Sequence, residues 1–138
     1  MERRQERAGD ESDDIVSRLG TLLADMGGHA GDVIDWRRGS DWIAVRSRRA
    51  GRVFAEVRPH RHRIEVFILP RAKDLRDPRG LARRAPPTQG WGWFRSRFDI
   101  LGERDLGPAV RLIRQSYALA LHAGNGRNRR RPRRTQSV

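Results

Sequence analysis

The chain contains no cysteine, which excludes disulfide staples, thiolate metal sites and a cysteine nucleophile and leaves packing to hold the fold. It also lacks any apolar run near the roughly 18 residues that span a bilayer. Its first residues, Met1 to Asp10, are charged where a secretion signal needs an apolar stretch. The expected location is therefore the cytoplasm, with no part in the membrane. No phosphate-cradling glycine loop, nucleophile elbow or zinc spacing occurs, so no cofactor and no catalytic residue is assigned. Lysine is nearly missing too: Lys73 stands against 29 arginines.

What the chain has in excess is positive charge. Its 30 basic residues against 17 acidic ones leave +13, a balance that attracts polyanions such as nucleic acid. The codon usage of a GC-rich genome also produces an arginine skew, so the bias alone names no ligand. Residues 13 to 123 hold 21 basic and 13 acidic side chains, a net +8 that does not come from the tails. A length of 138 residues suits a single core.

Residues 1 to 11 mix arginine and glutamate with almost nothing apolar and read as a disordered lead-in. Ile15, Leu19, Leu22, Leu23 and Met26 then recur at three- and four-residue spacing. They predict a helix over 13 to 26, capped by Ser12 or Asp13 and stopped by Gly27. Four runs of strand character follow, Val33 to Trp36, Trp42 to Ser47, Val53 to Arg58 and Arg63 to Leu69, separated by turns as in an antiparallel meander. Alternation places Ile43, Val45, Val53, Ala55, Val57, Ile64, Val66 and Ile68 on one face, the expected core. The opposite face would carry Trp42, Arg46, Phe54, Glu56, Arg58, Arg63, Glu65 and Phe67. A hairpin turn centred on Arg61 and His62 sets Arg58 opposite Glu65, whereas a slip of two residues would oppose Glu56 to Glu65; charge pairing selects the first register.

Pro70 ends the fourth strand, and Asp77-Pro78-Arg79-Gly80 reads as a type I turn or as the start of a short helix ending near Arg84. Pro86-Pro87 forces an extended stretch into Gly90-Trp91-Gly92-Trp93, after which Phe94 to Ile100 alternates weakly as a fifth strand. Leu106, Val110, Ile113, Tyr117, Ala120 and Leu121 predict a helix over 105 to 122, with Pro108 in its first turns. Residues 124 to 138 are dominated by arginine with Asn, Gly and Pro and read as a disordered basic tail. The expected architecture is α+β: one domain over 12 to 123, in which an N-terminal and a C-terminal helix pack on one face of a four- or five-stranded antiparallel sheet.

Aromatic rings interleaved with arginine on a sheet can stack with bases while guanidinium groups meet phosphates. On that reasoning Trp42, Phe54, Phe67, Arg46, Arg58, Arg61 and Arg63 form one candidate nucleic-acid surface. The alternative is that residues 70 to 98 fold over this face and bury the rings. The tail arginines Arg127, Arg129, Arg130, Arg131, Arg133 and Arg134 form a second candidate, by electrostatic attachment or as a solubilising or localising appendage. The same aromatic and arginine face would also suit an acidic protein partner. Trp91 and Trp93 could line a ligand slot, including that of an enzyme, or anchor a loop. His60 and His62 sit among Arg58, Arg61 and Arg63, whose field disfavours a metal. Asp32 with Asp35, and Asp74 with Asp77, lie at turns, where aspartate makes local hydrogen bonds.

Three segments carry a family resemblance: Phe54-Ala55-Glu56-Val57 closing at Pro59, Leu69-Pro70 followed by Asp77-Pro78-Arg79-Gly80-Leu81-Ala82-Arg83, and Ile113-Arg114-Gln115-Ser116-Tyr117. Over roughly residues 13 to 118 the chain resembles a family of uncharacterised domains, domains of unknown function. These occur alone, at the C-terminus of chains labelled predicted transport proteins, or beside restriction- or nuclease-like modules. The resemblance bears on the fold and carries no established activity; the expected function is a small basic module that binds nucleic acid without catalysis, accessory to DNA processing or defence. Family members usually have a Gly-His-Trp-Gly-Asn-Gly-like loop, of which Gly90-Trp91-Gly92 remains here, followed by Trp93 and Phe94. Any chemistry of that loop's polar residues is therefore expected to be lost.

Overall fold

Helix α1 (Glu2–His29) opens the chain in the computed structural model, which describes the backbone of residues 2–86 and 93–136 and the side chains of 12–86 and 93–123. Val16, Leu19, Leu23 and Met26 are its buried stripe, while Leu22, one step round the helix, is exposed. The helix ends in a Schellman closure. The Asp32 amide donates to the Gly27 carbonyl (2.8 Å) and the Gly31 amide to the Gly28 carbonyl (3.1 Å), around Gly31 at φ 70°. Gly27, expected as the stop, is inside the helix instead; a Cβ there would overlap the Ile34 side chain, so its lack of one lets the first strand close down on α1.

The strands are β1 (Ile34–Arg38), β2 (Ile43–Ser47), β3 (Arg52–Pro59), β4 (Ile64–Ile68), β5 (Arg83–Arg84) and β6 (Ser96–Ile100). All pair antiparallel, in the order β1-β2-β3-β4-β6-β5. The first four form the meander, β6 adds beside β4, and β5 is the far edge. Among the described residues the sheet therefore has six strands, not four or five. The additional strand has two residues and so no alternation to betray it; it exists because Arg83 and Arg84 pair with Arg97 and Ser96. In the β3–β4 hairpin Arg58 opposes Glu65, the register that charge pairing selects.

Between β2 and β3 the ladder slips. Val45 opposes Ala55 but Arg46 opposes Val53, leaving Phe54 as the extra residue of a bulge. Two side chains change sides as a result. Val53, expected in the core, shares the side of Arg46 and is partly exposed. Phe54, expected on the outer face, is 0 % exposed, its ring edge-on to Tyr117 with centroids 5.2 Å apart. Tyr117 belongs to α2 (Leu106–Gln136), which also satisfies polar backbone at the bulge. The buried Ser116 Oγ donates to the Phe54 carbonyl (2.5 Å) and accepts from the Leu69 amide (2.9 Å), tying α2 to β3 and to the residue that follows β4 through one hydroxyl.

Ile43, Val45, Ala55, Val57, Ile64, Val66 and Ile68 are all buried, as alternation predicts, and Phe98 and Ile100 of β6 extend the set. Leu106, Ala109, Leu112, Ile113, Tyr117 and Ala120 of α2 complete the core. α1 meets the sheet at Trp36, whose ring lies beside Gly20 and which opposes Val45 across β1 and β2. Both helices run beyond the predicted 13 to 26 and 105 to 122. The side chains of 1–11 and 124–138, read from sequence as a disordered lead-in and tail, lie outside the described residues. Asp77 to Gly80 is a turn: Gly80 sits at φ 62°, and the Asp77 carboxylate accepts from the Leu81 and Ala82 amides (3.1 and 2.8 Å). Among the described residues no helix is long and apolar enough to cross a membrane.

Candidate nucleic-acid interface

The outer sheet face holds most of the residues that sequence pattern nominates, but closed rather than presented. Phe54 has left it through the bulge. Phe67 remains and is only 3 % exposed, covered by Phe94 (centroids 6.4 Å) and by the Arg58 guanidinium, 5.0 Å above its ring. Trp42 is half-buried against Gly39, so the three rings form no common platform. Part of residues 70 to 98 has folded over the face, the alternative to an open aromatic surface.

The arginines there are mostly spoken for by carboxylates on the same or a neighbouring strand. Arg58 Nε donates to Glu56 (3.1 Å), a residue 2 % exposed, and Arg46 lies 3.9 Å from Asp35. Arg63 and Arg83 flank Asp99 at 3.9 and 4.0 Å, and the buried Asp99 Oδ1 has no hydrogen-bond partner among the described residues. Glu65 takes Arg97 at 2.6 Å and His60 at 3.1 Å. Burial pushes its carboxyl up, but these hydrogen bonds and charges outweigh it and hold Glu65 below the usual value. Arg61 is exposed at the hairpin tip, with no ion pair among the described residues. Among those residues no cluster of three metal-ligating side chains occurs. Trp91 and the side chains of Arg127, Arg129, Arg130, Arg131, Arg133 and Arg134 lie outside the described residues.

The open basic surface lies elsewhere, along the seam between α2 and the loop after β4. Gln115 clamps that loop: its Oε1 accepts from the Arg76 amide (2.8 Å) and its Nε2 donates to the Arg76 carbonyl (2.9 Å), as a neighbouring strand would. On one side is a recess of about 740 Å³ whose lining includes Leu69, Leu75 and Leu119, the half-exposed Trp93, and Arg71 and Arg95. On the other is one of about 510 Å³ among Arg76, Arg79, Arg111 and Arg114. Gln115 lines both, so the two adjoin. Arg79 pairs with Asp105 (3.3 Å). Among the described residues no carboxylate lies within ion-pair distance of Arg71, Arg76, Arg95, Arg111 or Arg114. Asp74 borders the larger recess; Asp77 borders the smaller, its carboxylate already engaged by two amides.

Sequence reasoning missed these residues. The signal for them was modest: Arg111 and Arg114 are one turn apart on the polar side of the second helix, and Arg71, Lys73, Arg76 and Arg79 recur along one loop. Their convergence depends on a clamp between residues 39 positions apart.

Asp32, which Tyr117 of α2 reaches, is structural. Its Oδ1 accepts from the Val33 and Arg49 amides (2.7 and 3.0 Å), and its Oδ2 from Ser47 Oγ (2.5 Å) and the Tyr117 hydroxyl (2.8 Å). Burial raises its carboxyl, and these four bonds more than reverse that, leaving it below the ordinary value of 3.8. For Tyr117, burial and the bond to Asp32 act together and push the phenol up to about 12. The signs differ at the two ends of the pH scale. Tyr117 binds its proton more tightly folded than unfolded, so its stabilisation is whole below the unfolded value of 10.0 and lost as pH rises toward about 12. Asp32 and Glu65 hold theirs less tightly folded, so their stabilisation is whole above the unfolded values of 3.8 and 4.5 and lost as pH falls through them. Denaturation midpoints measured across pH should therefore be flat between about 5 and 9 and fall on both sides. Tyr117 is the sole tyrosine, so Tyr117→Phe should remove the tyrosine part of the alkaline fall; an unchanged alkaline limb would contradict the Asp32 contact.

In comparisons with known proteins, no family model, no curated protein and no solved structure matches this chain.

Proposed function

We propose that this chain is a non-enzymatic binding module for nucleic acid, holding it chiefly along the α2 seam. The observation that carries the reading is the set of guanidinium groups at Arg71, Arg76, Arg95, Arg111 and Arg114, which have no carboxylate at ion-pair distance among the described residues and line two adjoining recesses. Arginines already paired to Glu56, Glu65 or Asp99 would have to give up those partners before meeting phosphate, whereas the seam arginines give up only water. The net +8 of residues 13 to 123 adds a favourable long-range field. The tail arginines Arg127 to Arg134 would add attachment without sequence preference. An accessory role in DNA processing or defence would suit such a module. An acidic protein partner remains the competing occupant, now at the seam rather than on the sheet face.

Anisotropy titrations of labelled duplex and single strands over a range of salt test the reading in the full-length chain. Replacing Arg71, Arg76, Arg111 and Arg114 by glutamine should flatten the dependence of log affinity on log salt by roughly 0.9 for each duplex phosphate no longer neutralised. Arg61→Gln, at the hairpin tip, should change it far less. Unchanged binding by the four-arginine variant would remove the seam from the reading, and loss confined to a variant with the tail arginines neutralised would assign attachment to the tail.

A further inference from the structure

The two recesses differ in a way that electrostatic attachment does not require. Both combine arginine with apolar lining, but the larger adds an aromatic ring, which the smaller lacks. Trp93 is 51 % exposed and Leu119 43 % exposed there. Leu69, Leu75 and Ala118 add to the apolar lining, with Arg71 and Arg95 beside it. At about 740 Å³ the recess falls within the range of pockets that enclose small organic ligands. A duplex would gain nothing from it. Its bases remain stacked inside, so it meets the exposed guanidinium groups with phosphate alone and brings nothing to the apolar lining. A single strand differs, because its bases are free to turn outward and rest a flat face on an aromatic ring.

Resting on the nucleic-acid reading above, we infer that the larger recess takes an unpaired base of a single strand against Trp93. Arg71 and Arg95 meet the flanking phosphates, and the strand runs past Gln115 to Arg76, Arg111 and Arg114. An aromatic ring next to guanidinium, continued by further guanidinium groups beside Pro78, Pro108 and Leu112 in the adjoining recess, matches a polymer that repeats a flat base and a phosphate. An acidic polypeptide matches the charge but not the ring. Asp74, the carboxylate in the lining, repels phosphate and can accept from an exocyclic amine, so it belongs beside the base rather than the backbone. Selectivity between strand forms thus resides in Trp93, and affinity common to both forms in the arginines.

The experiment compares short labelled oligothymidylate with a duplex of the same length, using the full-length chain and its Trp93→Ala, Trp93→Phe and Leu119→Glu variants. Because Trp93 and Leu119 are half exposed, their replacement leaves the core intact, which near-ultraviolet circular dichroism checks. Trp93→Ala should weaken single-strand binding by roughly 5- to 150-fold, the equivalent of one stacked base, with little change in its salt slope and none in duplex binding. Trp93→Phe should recover most of the loss, and Leu119→Glu should weaken the single strand again. Arg71 and Arg95, replaced together, should lower the single-strand slope by about 0.7 for each phosphate. The inference fails if Trp93→Ala leaves the single strand untouched or weakens both forms alike. It also fails if polyglutamate of equal charge displaces the strand as well as unlabelled oligothymidylate does, which would assign the recess to an acidic polypeptide. Duplex binding that depends on the seam arginines, with Trp93→Ala silent, would overturn this inference and leave the general reading standing. A chain that binds neither form would overturn both.

Discussion

Truncating Phe54 to alanine is expected to cost about 3–5 kcal/mol of unfolding free energy, the range for a large ring removed from a packed core. The reason lies in the bulge. Strict alternation would set Phe54 on the outer face, where its loss would cost well under about 1 kcal/mol, as for most surface substitutions. The register shift at Val45 and Arg46 turns it instead into a fully buried site against Tyr117, at 5.2 Å and 60°. Its removal would leave a cavity between β3 and α2 and forfeit the edge-on ring contact, itself about 0.5–1.5 kcal/mol. Urea denaturation with an unchanged slope would measure the cost directly. A small value would mean that the strand runs without the bulge, and with it would go the reason for the Ser116 bond to the Phe54 carbonyl.

Asp32→Ala should be nearly as damaging, at about 3 kcal/mol, because hydrogen bonds to a charged group contribute about 1.5–3 kcal/mol each and do not add in full. Four donors from three parts of the chain converge on this carboxylate: the amides of Val33 and Arg49, and the hydroxyls of Ser47 and Tyr117. Alanine would leave the Tyr117 hydroxyl partly buried and unpaired beside α2. Asn should cost about half as much, since its oxygen can keep the two amides while both hydroxyls turn to accept from its NH₂ group. A double-mutant cycle with Tyr117→Phe should return a coupling of about 1 kcal/mol. Additive effects would show that the carboxylate and the phenol act independently. The same pair shapes the pH profile at both extremes, so the variants should alter stability and its pH dependence together.

The seam and the sheet face illustrate why composition does not show which arginines are left without a carboxylate. Arg46, Arg58 and Arg63 stood out because they alternate with aromatic residues within short strands. Their availability is settled by Asp35, Glu56 and Asp99, which reach them across strands or along one strand, and by Phe94, which closes over Phe67. Arg71 belongs to the loop after β4 and Arg95 to the weakly alternating run before β6, 24 positions on, and no local pattern links the two, yet they share one recess. Charge can be counted from a sequence, but which charges remain unpaired is a property of the assembled surface.

What the sequence determined by itself was whatever depends on neighbours along the chain. The two helical stripes, the aliphatic alternation from Ile43 to Ile68 and the Arg58–Glu65 register follow from periods of two to four residues and from the charge at one hairpin. Tertiary structure decided the inward turn of Phe54, the move of the helix stop from Gly27 to Gly31, the two-residue strand at Arg83 and Arg84, and the seam held by Gln115. Each of these balances a local preference against a contact formed by residues remote in the chain. A ring's burial against Tyr117 or a hydroxyl offered by Ser116 carries more free energy than the local pattern it overrides, and neither partner can be located until the helices are on the sheet.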